Sequence, residues 1–135
     1  MKRQIIAATF AVCAAVPAAA APLSDVFTSY FAFGDSLTDD GKFGTLGPPS
    51  FEGRFTNGLT YSEMLAQGFP VYENYALGGA TAGANQNTYG GSSYLLQFEN
   101  LEKQIDLFEA DPSRASAGTD PLVSILMGSN DIFQN

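Results

Sequence analysis

Three short apolar runs alternate along this chain with segments whose apolar residues recur at helical steps, or that are dominated by glycine and small polar residues. Ser29-Tyr30-Phe31-Ala32-Phe33 is aromatic and β-prone, and Gly34-Asp35 closes it with turn formers, which predicts a first strand with Ser36 just past its carboxyl end. Residues 71–76 predict a second strand, ended by Gly78-Gly79, and residues 121–127 a third, ended by Gly128-Ser129-Asn130-Asp131. The third run lacks strict alternation, as expected of a strand covered on both faces of a parallel sheet.

Helical signals fill the intervals. Thr60-x-x-Glu63 has the form of a capping box, followed by the apolar stripe Tyr61, Met64 and Leu65 and stopped by Gly68 and Pro70. From a cap at Ser92 or Ser93, Tyr94, Phe98, Leu101, Ile105 and Phe108 recur at three- and four-residue steps, which predicts one helix ending at Asp111-Pro112. Glu99 and Lys103 sit at i, i+4 on its polar side. Residues 41–58 and 80–93 are rich in Gly, Pro, Asn, Ser and Thr and read as surface loops. Strand, helix, strand, helix, strand is the alternation of an α/β fold with a parallel sheet. In such sheets ligands bind beyond the carboxyl ends of the strands, where these three polar clusters would meet.

One apolar stretch stands outside this pattern. Lys2 and Arg3 precede an uninterrupted run over residues 5–16 and then the small residues 17–21, the signature of a secretory signal peptide cleaved near residue 20. The run is shorter than the roughly 20 residues a spanning helix needs. The expectation is export, to the periplasm or the medium of a bacterium, with residues 21–135 as the mature part. Of the 6 basic residues, Lys42, Arg54, Lys103 and Arg114 remain there, against all 14 carboxylates; four minus fourteen is a formal charge of −10. Such a surface repels phosphate backbones, which argues against nucleic-acid binding and for a neutral or apolar ligand. The single cysteine, Cys13, lies in the leader, and the chain has no histidine at all. No Ser-His, Cys-His or His-metal site can therefore be built from these residues alone.

Against this background the strand ends carry a resemblance. Phe33-Gly34-Asp35-Ser36-Leu37-Thr38-Asp39 resembles the first block of the GDSL esterase/lipase (SGNH hydrolase) family. Asn74-Tyr75-Ala76-Leu77-Gly78-Gly79-Ala80-Thr81-Ala82 is similar to its second block, and Met127-Gly128-Ser129-Asn130-Asp131 to its third. Gly53-Arg54-Phe55-Thr56-Asn57-Gly58 resembles a segment carried by lipase-like members. The general G-x-S-x-G elbow does not fit, because Thr38 stands where its second glycine would be.

The resemblance implies a three-layer α/β sandwich with a parallel sheet, flavodoxin-like, of which about three of five strands are present. It also implies a serine ester hydrolase. Ser36 would be the nucleophile, at the start of the turn into the next helix, with Gly79 and Asn130 as oxyanion donors beside the Ser36 N–H. Asp35 and Asp131 would fix turns. The substrate would be a small-molecule or lipid ester, with transient contact with lipid, and no metal or organic cofactor is implied. The family's base is a histidine in a late Asp-x-x-His block that these residues do not include. Lys42, six positions after Ser36, is the alternative base within the sequence, although its spacing does not match S-x-x-K. The resemblance places the third strand at the sheet centre; here it would be an edge with apolar surface open to water. The expectation is a nucleophile and oxyanion site with little or no turnover of its own, the alternative being an inert acyl- or glycan-binding fragment.

Overall fold

The computed structural model describes residues 21–84, 87 and 89–133. The expected signal peptide lies outside the described residues.

Three parallel strands form the sheet: β1 (Ser29–Gly34), β2 (Tyr72–Asn74) and β3 (Pro121–Leu126), in the order β2-β1-β3. β1 is central and every one of its residues is buried. Its alternating side chains serve two faces, as the two-residue period of a strand requires. On one face Phe31 and Phe33 meet Phe108 of helix α3 (Leu101–Ala110) edge-on, at ring-centroid distances of 4.9 and 5.7 Å, while Phe33 stacks on Tyr75 at 5.1 Å. On the other face Tyr30 stacks on Tyr72 at 5.3 Å and its hydroxyl shares a 2.7 Å hydrogen bond with Ser124 Oγ. Here helix α1 (Tyr61–Leu65) meets the sheet through hydroxyls: Tyr72 donates to Ser62 Oγ at 3.2 Å, and Asn74 Nδ2 donates to the Tyr72 oxygen at 3.1 Å. Burial pushes the Tyr72 hydroxyl up to about 12. The arrangement is an α/β fold built on a three-stranded parallel sheet.

α1 begins as its sequence predicts. Thr60 Oγ1 accepts from the Glu63 N–H, and the Glu63 carboxylate accepts from the Thr60 N–H, closing the capping box. The expected continuous helix over residues 93–110 is instead two helices, α2 (Ser93–Leu96) and α3. Between them Asn100 is extended, and the chain makes a parallel bridge to Thr81: the Thr81 N–H donates to the Glu99 carbonyl, and the Leu101 N–H to the Thr81 carbonyl. Asn100 Oδ1 then accepts from the Lys103 N–H and restarts the helix. A long-range backbone pairing and a local cap together outweigh the helical periodicity.

β2 is shorter than expected, although the chain stays beside β1 as far as residue 77, with the Tyr75 N–H donating to the Ala32 carbonyl and the Leu77 N–H to the Gly34 carbonyl. Past β3 the chain forms a short helix, α4 (Ser129–Phe133).

Inside α3 one polar side chain is fully buried. Gln104 Oε1 accepts from the Gly34 N–H at 3.0 Å, and its Nε2 donates to the carbonyls of Gly34 and Phe98, each at 2.9 Å. The side-chain amide thus satisfies the end of β1 as another strand's peptide group would. The third run has the composition of a strand covered on both faces, but in this chain β3 is an edge with apolar surface open to water, as expected: Val123 and Ile125 are about half exposed, and among the described residues no strand pairs with its outer edge.

Two outcomes follow. Gln104→Leu leaves buried backbone groups unpaired and should cost about 3 kcal/mol in urea unfolding; a cost below about 1 kcal/mol would contradict the clamp. The open edge of β3 should drive concentration-dependent self-association visible in light scattering, and Val123→Lys with Ile125→Lys should suppress it.

Candidate active site

The site is assembled at the carboxyl ends of the three strands, and its polar groups are bound to one another before any ligand arrives. After β1 the backbone makes a single tight turn, in which the N–H groups of Thr38 and Asp39 both donate to the Asp35 carbonyl. Ser36 sits in that turn. No helix follows it, contrary to the expectation from the resemblance; the next helix is α1. The Asp39 carboxylate ends the turn by accepting from the N–H groups of Gly41 and Lys42, at 2.9 and 2.8 Å, in place of continued helical hydrogen bonds. Its other oxygen accepts from the Gly78 N–H at 2.8 Å. Asp39 is fully buried; burial pushes its carboxyl up, while the three N–H donors and Lys42 pull the other way.

Carboxylates and amides join the three clusters in the same manner. Asp35, also buried, accepts from the Leu37 N–H and from Ser129 Oγ at 2.9 Å, tying the first strand end to the third. Asp131 accepts from the N–H groups of Ala82 and Gly83, at 2.9 and 3.0 Å, and those donors hold its carboxyl below the usual range. Asn130 Nδ2 donates to the Ala80 carbonyl at 2.8 Å. One amide hydrogen of Asn130 is spent on that bond, and the amide has a second. Asn74 completes the set, with Nδ2 donating to the Thr38 carbonyl at 2.7 Å and Oδ1 accepting from the Ala76 N–H.

Within this frame Ser36, Gly79 and Asn130 face one cavity of about 370 Å³, with Phe43, Phe55, Gly78, Asn87 and Tyr89 as its other described walls. All three residues singled out from the sequence are brought together. Gly79 has φ +83°, a left-handed conformation that suits glycine, and an added Cβ would stand 2.9 Å from Asn87 Nδ2. Among the described residues nothing hydrogen-bonds Ser36 Oγ.

Lys42 does not join them. Its ammonium pairs with Asp40, it stands 6.0 Å from the Phe98 ring, and it lines a separate cavity with Glu73 and Tyr75. The structure therefore removes it as a base for Ser36. It is also less solvated than a loop lysine would suggest, because the ion pair and the ring cover it.

Residues 30–135 match the GDSL-like Lipase/Acylhydrolase family. This chain belongs to that family. It is also 36% identical over 121 residues to the phosphatidylcholine-sterol acyltransferase of Aeromonas hydrophila, an alignment covering 83% of this chain and 35% of that protein. This GDSL-family chain thus spans about a third of the length of the curated relative it matches.

Two residues with decisive roles gave no signal of their own in the sequence. Gln104 lies on a helix otherwise read as apolar on one side and charged on the other, and its contact with Gly34 spans 70 positions. Arg54 stands out in the sequence only as part of the Gly53-Arg54-Phe55-Thr56-Asn57-Gly58 segment. Its guanidinium grips Glu63 bidentately, Nε to Oε2 at 2.8 Å and Nη2 to Oε1 at 2.7 Å, and so fastens the 41–58 loop to the capping box of α1. Arg54 holds the Glu63 carboxyl below its ordinary range. A lowered folded value means the pair stabilises fully above the unfolded carboxylate pKa and is lost as pH falls through the folded one. Glu63→Gln should accordingly lower the urea midpoint at pH 7, and the gap from the parent should close as pH falls below about 4.

Proposed function

We propose that this chain supplies the nucleophile and the oxyanion-binding groups of an exported carboxylic ester acyl-transfer enzyme. Family membership supports acyl hydrolysis or acyl transfer in general. The observation that carries the finer reading is the single cavity shared by Ser36, Gly79 and Asn130. In the reaction, Ser36 Oγ attacks the ester carbonyl carbon and loses its proton to a base. The N–H groups of Ser36 and Gly79 and the Asn130 amide hold the resulting oxyanion. The intermediate collapses by breaking the ester C–O bond, and the departing alkoxide takes up the proton. The acyl group is left on Ser36 for transfer to water or to another alcohol.

These 135 residues contain no histidine, so an imidazole base has to come from outside them. Taken alone, the chain should turn over little, because neither acylation nor deacylation has a base. The oxyanion groups still act. Enzymes stripped of a member of their catalytic triad keep roughly 10³-fold catalysis from such groups and from binding. The reading of residues 1–20 as a leader supports export. Among the described residues no helix is long and apolar enough to cross a membrane.

The test uses an activated ester and reads the first step. Incubated with p-nitrophenyl butyrate and digested for mass spectrometry, the chain should carry its butyryl group on Ser36 and hold it, since deacylation also lacks a base. Asn130→Ala should slow that labelling by about 10²-fold. Butyrylation spread over Lys42, Lys103 and the tyrosines with none preferred on Ser36 would overturn the assignment.

A further inference from the structure

The cavity holding Ser36 has one wall that the chemistry does not use. Phe55 packs edge-on against Phe43 at a centroid distance of 5.2 Å, and Phe43 meets Tyr89 in the same way at 6.4 Å. The wall rests on Gly78, the residue before the oxyanion glycine. A Cβ at position 78 would stand 2.2 Å from Phe55 Cε2 and 3.2 Å from Phe43 Cδ2. Only a residue without a side chain lets the rings lie this close to the oxyanion backbone.

Both phenylalanines remain more than a third exposed, and both line the cavity. None of the described lining residues carries a formal charge. The cations adjoining the two rings in the sequence are committed elsewhere, Arg54 to Glu63 and Glu52 and Lys42 to Asp40, so nothing on this side would recognise a phosphate or carboxylate. At about 30 Å³ per water-sized unit, 370 Å³ accommodates on the order of a dozen heavy atoms.

From this wall we infer that Phe43 and Phe55, seated on Gly78, form a hydrocarbon-binding subsite that takes the unbranched alkyl chain next to the ester carbonyl. The subsite rests on the assignment of Ser36, Gly79 and Asn130, which marks where the carbonyl stands. A chain of short to medium length fills it, and its binding is apolar burial against aromatic faces.

Binding can be read without turnover. Ethyl acetate, ethyl butyrate and ethyl hexanoate are titrated into the 135-residue chain by ligand-observed NMR, with hexyl acetate as the arm that places the alkyl chain on the alcohol side. Affinity should rise about fourfold per added methylene until the cavity is full. Phe55→Ala and Phe43→Ala should each cut that rise to less than twofold per methylene while leaving ethyl acetate unchanged, and Phe55→Leu should keep most of it. Circular dichroism checks that each variant folds; should one alanine variant unfold, the other and Phe55→Leu still decide the matter. A rise with ethyl hexanoate supports the acyl-side placement, and a rise with hexyl acetate alone overturns it. An unchanged slope in the folded alanine variants, or no dependence on chain length in the parent, overturns the subsite. Ser36→Ala should keep the full slope, so a failure of Ser36 to be acylated is separable from a failure of the aromatic wall.

Discussion

The close approach at Gly34 governs this molecule. The last residue of the central strand has no room for a side chain: a Cβ there would stand 2.6 Å from both the Leu126 carbonyl oxygen and Thr38 Oγ1. Its N–H and carbonyl are taken by the buried amide of Gln104. The end of β1 is thus fixed by a helix on one side and by β3 and the following turn on the other. Ser36 lies two residues further on, and its position is inherited from that point. Buried backbone groups must find partners, and here the partner is a side chain 70 residues away.

The same requirement explains why so many carboxylates stand at the strand ends. Asp35, Asp39 and Asp131 each accept at least two hydrogen bonds, and most of their donors are backbone N–H groups of the loops that leave the strands. They stand in for the hydrogen bonds that the loops give up by not continuing as helix or strand. Preorganised donors are effective in catalysis because they need not move when charge develops, and these acids supply the rigidity behind such donors.

Much of this was legible in the sequence, for identifiable reasons. The strands were visible because each is a run of apolar residues closed by glycine, and the capping box because Thr60 and Glu63 act within one turn. The convergence of Ser36, Gly79 and Asn130 followed from the rule that parallel strands present their carboxyl ends on one edge. What stayed hidden depends on distant partners. The break before Asn100 exists because Thr81 pairs there, and periodicity over residues 94–108 carries no trace of Thr81. The absence of a helix after Ser36 depends on how Asp39 spends its oxygens.

The anchoring of the 41–58 loop has a consequence for how such a scaffold can diversify. Arg54 secures the loop to Glu63, at the head of α1, whereas the strand ends bearing Ser36, Gly79 and Asn130 are secured through Gln104 and the three acids to the sheet. Two residues belong to both sets: Asp39, which also holds the start of the loop through the N–H groups of Gly41 and Lys42, and Gly78, whose N–H answers to Asp39 and whose bare Cα answers to Phe55. Phe55, next to Arg54, hangs from the α1 side, whereas Phe43, next to Lys42, hangs from Asp39 and so from the sheet. A change of ring size at 43 is therefore transmitted to the turn after β1, and one at 55 is absorbed by the loop, with Gly78 as the point where the two meet.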